Sequence, residues 1–145
     1  MKRWYLAGIA LVVASGVFAG QESNQPVHIM VELDSSGVAW GSMPTARFSD
    51  NDVEMIGCGT RAWEGGFRNG FCQATDAEGI FRGCYTENPV LLDNMRATSD
   101  YSFVLFRWTP GEFTDEIWPR CSFVQFSTQS FYIPDHGQKN KKDPK

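Results

Sequence analysis

The residues with the clearest chemistry in this 145-residue chain are its four cysteines, Cys58, Cys72, Cys84 and Cys121. Cysteines pair as disulfides in oxidising compartments, whereas in reducing compartments they more often bind metals or serve in redox catalysis. No Cys-x-x-Cys pair is present, and the two histidines, His28 and His136, lack the spacing of zinc ligands. The sequence therefore predicts two disulfides, no metal site and no cofactor.

Four oxygen-bearing side chains that could coordinate calcium lie close together, namely Asp50, Asn51, Asp52 and Glu54. An EF-hand loop that starts at Asp50 needs glycine at its sixth position and glutamate at its twelfth. The chain has Met55 and Arg61 at those positions. We therefore expect a solvated turn that leads into a strand rather than an EF-hand.

A second acidic cluster consists of Glu112, Asp115 and Glu116. Glycosidase mechanisms need only two carboxyl groups at the right separation, so a small carboxylate hydrolase is one interpretation of this cluster. An acidic loop between two strands accounts for the same residues without any activity. Because neither histidine lies in a stretch predicted to be rigid, a Ser-His-Asp hydrolase is not supported, and we expect a non-catalytic protein.

The candidate contact residue is Trp63, with Arg61 and Arg68 nearby, because tryptophan and arginine are favoured at binding hot spots. The other interpretation of Trp63 is that it packs over a disulfide. We predict a surface here that binds a protein or glycan partner. The alternatives are the small carboxylate hydrolase and a structural component of the cell envelope without a defined site.

These residues depend on a predicted meander of three strands. Residues 54–63 and 67–75 are predicted to form two strands, joined by a glycine-bearing loop that suits an antiparallel hairpin. A second turn, at residues 76–79, leads to a third strand at residues 80–85. The cysteines at 58, 72 and 84 then fall one on each strand.

The register of the first hairpin predicts one disulfide. Closing the hairpin with Trp63 opposite Phe67 places Cys58 directly opposite Cys72. Facing residues in an antiparallel ladder lie about 4.5–5.5 Å apart at Cα, which suits a disulfide.

The register of the second hairpin assigns the other two cysteines. The second hairpin can close with Ile80 opposite Thr75 or opposite Ala77. Either closure places Cys84 and Cys72 on opposite faces of the sheet. We therefore pair Cys84 with Cys121. Four cysteines allow three connectivities, and the sequence alone leaves the other two open.

Outside the meander, the pattern predicts strands over residues 27–33, 38–41, 101–108, 117–126 and 131–133, and helices from Pro44 toward Asp50 and over residues 89–98. The second helix starts with Asn88 as N-cap and Pro89 in the first turn, with Val90, Leu91 and Met95 on one face. Residues 101–108 are apolar at both alternating sets of positions, which is typical of a central strand covered on each side. The predicted fold class is α+β, mostly β, with an antiparallel sheet and one or two short helices.

The ends of the chain predict export. Residues 1–19 have a basic start, an apolar run and small residues before the end, which is typical of a secretory signal peptide. The apolar run of about 15 residues is shorter than the roughly 20 that cross a bilayer, so we expect no stable membrane insertion after leader removal. Residues 20–135 are predicted to form one disulfide-stabilised domain in the periplasm or outside the cell, and residues 136–145 a basic disordered tail.

Charge argues against one class of partner. Residues 20–135 contain seven arginines, no lysine and sixteen acids, a net charge of −9. Nucleic-acid binding depends on clustered positive charge, so we predict that this body does not bind nucleic acid.

A motif between residues 46 and 58 starts as Ala-Arg-x-Ser and ends as Ile-Gly-Cys, at Ala46, Arg47, Ser49, Ile56, Gly57 and Cys58. It resembles a group of small exported bacterial proteins of no assigned function, in which these ends bracket a polar segment and further cysteines follow. The central acidic position of that motif is Asn51 here. The resemblance covers the central half of the chain and implies an exported, disulfide-bearing domain, but no activity.

Overall fold

The computed structural model describes residues 23–114 and 117–133. In chain order the elements are β1 (His28–Val31), β2 (Gly37–Ser42), α1 (Met43–Arg47), β3 (Met55–Ala62), β4 (Arg68–Thr75), β5 (Phe81–Thr86), α2 (Pro89–Met95), β6 (Phe103–Trp108), β7 (Cys121–Ser127) and a 3-10 helix (Ser130–Tyr132). The strands form a four-stranded sheet in the order β1-β2-β6-β7 and a three-stranded sheet in the order β3-β4-β5, both antiparallel. The predicted fold class is confirmed, although the strands divide into two sheets instead of one.

The core lies between the inner faces of the two sheets. The four-stranded sheet contributes Ala39, Val104, Phe106 and Val124, and the three-stranded sheet contributes Ile56, Cys72, Ala74 and Cys84. Helix α2 adds Leu92 and Met95, whose side chains lie over Gly70 of β4 so closely that an added Cβ would be 2.4 Å from Met95 Sδ. This helix face differs from the predicted one, because Val90 is exposed and Leu92 is buried in its place.

Both predicted disulfides are present. Cys58–Cys72 joins β3 to β4 with a Cα separation of 4.0 Å. Cys84–Cys121 joins β5 to β7, and therefore one sheet to the other, with a Cα separation of 5.0 Å. The first disulfide closes a hairpin, whereas the second holds the two layers together.

Cys84 does not lie on the predicted face of the sheet, although it forms the predicted disulfide with Cys121. Cys84 lies directly opposite Cys72, on the same inner face. The turn closes with Asp76 opposite Ile80, because the Asp76 N–H donates to the Ile80 carbonyl at 3.2 Å and the Ile80 N–H donates to Asp76 Oδ1 at 2.8 Å. Gly79, at φ +81°, completes a three-residue loop of the same kind as the first hairpin's, where Gly66 has φ +84°.

Several other predicted elements change at their ends. The strand predicted at residues 131–133 is wrong: residues 130–132 form a 3-10 helix, in which Tyr132 stacks on Phe103 at 5.7 Å between ring centroids. The strand predicted from residue 117 starts at Cys121. Strand β6 is central, as predicted, but only one of its faces is fully buried, since Arg107 on the other face is exposed.

Some sequence predictions concern residues outside the described ranges. These are the signal peptide at 1–19, the tail at 136–145, and the acidic residues Asp115 and Glu116. Among the described residues, no helix has the length and apolar character needed to cross a membrane.

Removing the disulfides in pairs tests their separate roles. The two bridges span 37 and 14 residues, so the loop-entropy model predicts a loss of about 4 kcal/mol of unfolding free energy for Cys84→Ala/Cys121→Ala and about 3 kcal/mol for Cys58→Ala/Cys72→Ala. Urea denaturation measures both. A larger loss for the hairpin pair would contradict the assignment of the inter-sheet bridge as the stronger constraint.

Candidate binding surface

One face of the three-stranded sheet is turned away from the core. Along β4, Cys72 and Ala74 are fully buried while the alternating residue Phe71 is half-buried. The registers place the following side chains on the same side as Phe71: Met55, Gly57, Gly59 and Arg61 of β3, Asn69, Gln73 and Thr75 of β4, and Phe81, Gly83 and Tyr85 of β5. Residues 117–120 run beside β5 through a parallel bridge between Tyr85 and Arg120, which adds Trp118 and Arg120. We call this surface the outer face.

An aromatic cluster with Trp118 at its centre covers much of the outer face. Distances between ring centroids are 5.7 Å from Trp118 to Phe81, 6.2 Å to Phe113 and 6.5 Å to Phe71. Phe81 and Phe113 are 5.7 Å apart. Aromatic pairs at such distances each contribute about 0.5–1.5 kcal/mol beyond the area that they bury, so the cluster holds its rings in fixed positions.

Trp118 lies where it does because Gly83 has no side chain. A Cβ at Gly83 would be 2.7 and 2.8 Å from two carbons of the Trp118 ring. The Tyr85 N–H also donates to the Pro119 carbonyl at 3.0 Å, which holds the backbone of this segment against β5. The inter-sheet disulfide follows directly at residue 121. The glycine, the backbone bond and the disulfide together bring a tryptophan from a distant segment onto this sheet.

Three arginines stack their guanidinium groups on the rings of the cluster or its neighbours. The distances from Cζ to the ring centroid are 4.5 Å for Arg61 over Phe71, 5.2 Å for Arg82 over Phe113 and 4.5 Å for Arg120 over Tyr85. Stacking holds a guanidinium flat and leaves the N–H groups at the edge of its plane able to bind a carboxylate with two hydrogen bonds. Arg82 already donates from Nη1 to the Phe81 carbonyl at 2.7 Å, so Arg61 and Arg120 are the better candidates for such a contact. The outer face therefore presents positive charge in fixed orientations.

No acidic residue occupies an outward position on β3, β4, β5 or the described part of the segment beside β5. Arg61 has no carboxylate partner among the described residues. Arg120 approaches Glu87 at 3.9 Å, but both side chains are about half exposed, so this pair contributes little. In a body of net charge −9, this face is locally positive.

The structure separates the three predicted contact residues. Trp63 and Phe67 face each other at the end of the first hairpin, 48% and 50% exposed, with ring centroids 5.2 Å apart. Arg61 lies on the outer face, next to this pair. Arg68 lies on the opposite side of the hairpin, since it faces Ala62 in the even-numbered register. The alternative that Trp63 packs over the disulfide is wrong, because its ring contact is with Phe67.

Sequence reasoning missed most of the outer face, namely Phe71, Phe81, Tyr85, Phe113, Trp118 and Arg120. One signal was available: if Cys72 faces the core, its neighbour Phe71 must face outward. The position of Trp118 had no such signal, because it depends on a contact between segments that are distant in the chain.

The oxygen-rich turn at residues 49–54 is organised by Asn51. Its Oδ1 accepts from the N–H groups of Val53 and Glu54, both at 2.9 Å, and its Nδ2 donates to Glu54 Oε2 at 2.7 Å. The other oxygen of Glu54 accepts from the N–H of Val27 at 2.9 Å. Across residues 23–114 and 117–133, no group of three or more His, Cys, Asp or Glu side chains could hold a metal ion. The Asn51 and Glu54 side chains thus act as structural links.

A cleft of about 590 Å³ lies beside this turn, between α1, the start of β3 and Tyr101. The Ala46, Arg47, Ser49 and Ile56 side chains of the motif line it. Its carboxylates include Glu54, which is already held by Asn51 and Val27. Of the other predicted acidic cluster, Glu112 is exposed in a loop. Asp52 and Asp100 also line the cleft. The outer face holds its aromatic rings and arginines in defined contacts with one another, so it is the stronger candidate site.

Adding one methyl group tests the packing of Trp118. Gly83→Ala places a Cβ against the Trp118 ring and should lower the unfolding free energy by about 1–3 kcal/mol, as overpacking does. Gly57→Ala is the matched control, because it adds the same group on the same face with nothing within 4 Å. Urea denaturation measures both variants. Equal stability of the two would contradict the packing of Trp118 on Gly83.

Asn51→Asp tests the link to Glu54. The variant keeps the acceptor oxygen but loses the donor to Glu54, and at pH 7 it sets two carboxylates against each other. We expect a loss of about 1 kcal/mol at pH 7. Thermal unfolding at pH 7 measures the loss, and unchanged stability would contradict the contact.

Comparison of the chain with protein-family models, with curated proteins and with solved structures finds no match in any of the three. The function of this chain must therefore be inferred from the chemistry of its own surface. That surface is the outer face, which carries ordered aromatic rings, stacked arginines and no acidic residue at an outward strand position.

Proposed function

We propose that the protein is a non-catalytic binding domain that works in the periplasm or outside the cell and holds an anionic protein or glycan partner on its outer face. One observation carries the proposal: a body of net charge −9 gathers the ring-stacked Arg61 and Arg120 onto a surface whose strand positions hold no acid. Such a distribution favours encounter with a negative partner and disfavours encounter with a positive one.

The types of side chain on this face support a binding role. Tryptophan, tyrosine and arginine are the residues most enriched at binding hot spots, and all three are present here. Because Arg61 and Phe71 are in contact before any partner arrives, less side-chain entropy is lost on binding. Gln73 and Thr75 extend the face with neutral groups that donate and accept hydrogen bonds.

The location of the protein is inferred from its cysteines and its start. Two disulfides are consistent with an oxidising compartment. The leader-like residues 1–19 and the resemblance of residues 46–58 to small exported bacterial proteins support export. Partners of this protein are then components of the envelope or of the surroundings, and the negative charge of the body weighs against nucleic acid.

Two arginines of the same hairpin provide the test. Arg61 lies on the outer face and Arg68 on the opposite side, and both are exposed. Poly-L-glutamate and polygalacturonate serve as soluble probes for an acidic protein and an acidic glycan, with dextran as the neutral control. We expect the wild type to bind at least one polyanion, Arg61→Ala to weaken binding about tenfold, and Arg68→Ala to leave it unchanged.

Binding measured by biolayer interferometry at low and physiological salt distinguishes the outcomes. An equal loss for both arginine variants would mean that general charge attraction is the cause, and no binding of either polyanion by the wild type would contradict the proposal. Dextran binding as strong as that of the polyanions would also contradict it, because the face would then not select for charge.

A further inference from the structure

We infer that the free edge of β3 takes up an extended, acidic segment of a partner protein as an added antiparallel or parallel strand, with carboxylates on the side of Arg61. This inference rests on the proposed function and narrows its partner to a protein segment. It depends on which backbone groups of β3 are unpaired, on what the flanking side chains leave open, and on charge.

The hydrogen-bond pattern of the hairpin shows which groups of β3 point away from β4. The Trp63 N–H donates to the Phe67 carbonyl at 2.9 Å, so this is a hydrogen-bonded pair. Bonded and non-bonded pairs alternate along an antiparallel ladder, which makes Ala62, Thr60 and Cys58 the non-bonded positions. The short Cα separation of 4.0 Å between Cys58 and Cys72 agrees with this.

The N–H and C=O groups of these three residues therefore point to the free edge. Among the described residues, none of them has a backbone partner outside the ladder with β4. Unpaired groups in a row on an edge strand are a template for the addition of another strand.

The other sheet edges offer less. On β7, the Val124 carbonyl already accepts a hydrogen bond of 2.7 Å from Asn94 Nδ2 of α2. The edge of β5 is covered by residues 117–120. Strand β1 is an edge of only four residues, whereas β3 has eight. Strand β3 is therefore the long edge that the described part of the fold leaves open.

The side chains of β3 do not block this edge. Proteins commonly protect an edge strand with a charged side chain that projects past it. Here the Arg61 guanidinium turns back over Phe71 of β4, at 4.5 Å from its ring. Gly57 and Gly59 have no side chains on the outer face. The space above Gly57 is empty to 4 Å, whereas the Phe71 ring lies over Gly59, 2.9 Å from the position of an added Cβ. The side chains of an added strand would meet no obstacle beside Gly57.

Charge selects the occupant. Arg61 is the one charged side chain at an outward position of β3 or β4, within a body of −9. The basic tail of this chain, with four lysines in its last seven residues, would bring like charge to this hairpin. A second copy paired through β3 would bring its own Arg61 to the same edge. An acidic segment from a different protein instead places carboxylates beside Arg61, which has no carboxylate partner among the described residues, and backbone pairing requires a polypeptide rather than a glycan.

Proline substitution at an outward N–H gives a specific test. Thr60→Pro removes a donor that points to the free edge and leaves the bonds to β4 intact, so the hairpin should survive. Thr60→Val is the matched control that keeps the N–H. Should Thr60→Pro fail to fold, Ala62→Pro removes another outward donor. The probe is a displayed library of random linear peptides, selected on the full wild-type protein, from which the enriched peptides are synthesised.

We expect the enriched peptides to carry acidic residues at alternate positions. These peptides should bind Thr60→Pro at least tenfold more weakly than Thr60→Val. When peptide is bound, NMR should show slower amide exchange at Cys58, Thr60 and Ala62. Peptides without alternating acids, or peptides that bind without protecting these amides, would overturn the inference. Protection that rises with protein concentration in the absence of peptide would also overturn it, since the edge would then pair with a second copy.

The outcomes separate this inference from the proposed function. Peptides that bind Thr60→Pro normally but are lost with Arg61→Ala and Gly83→Ala would retain the outer face as the contact surface and reject strand addition alone. Peptides whose binding none of these variants alters would reject both.

Discussion

The structure depends on the row of three cysteines that crosses the inner face of the three-stranded sheet. Cys58, Cys72 and Cys84 face one another across β3, β4 and β5. Two of them form the hairpin disulfide, which leaves Cys84 to reach Cys121 of the other sheet. Cys72 and Cys84 are fully buried and Cys58 packs against the core while partly buried, so the alternate side chains of these strands face outward. The row thereby determines the composition of the outer face.

The same constraint explains how a binding surface arises on an acidic protein. The bridge to Cys121 brings residues 117–120 beside β5, and the absent side chain of Gly83 leaves room for Trp118. Trp118 then contacts the rings of Phe71 and Phe113, on which Arg61 and Arg82 stack. In this account a core disulfide, a glycine and a tryptophan position the positive groups, although none of the three is charged.

Turn and cap residues made much of the fold predictable from the sequence. Features that depend on contacts between distant segments could not be predicted. The three-residue glycine loop at 64–66 was sufficient to give the register of the first hairpin, and Asn88 with Pro89 located the start of α2. The predicted register of the second hairpin was wrong because its closure depends on the Asp76 side chain, which accepts a hydrogen bond from the Ile80 N–H. This contact gives a three-residue loop, as in the first hairpin. Trp118 could not be placed, since no local pattern reports a pairing between β5 and a segment more than thirty residues later. For the same reason, the sequence led to Trp63 and Arg61 at the margin of the outer face, but not to its centre.

Peptide mapping by mass spectrometry without reduction tests the central claim most directly. The account predicts links between Cys58 and Cys72 and between Cys84 and Cys121. Links between Cys72 and Cys84 and between Cys58 and Cys121 would contradict it, although the register places Cys72 opposite both neighbours. That pairing would move the start of β7 to β3, where Trp118 could not cover Gly83 and the outer face would lose its centre.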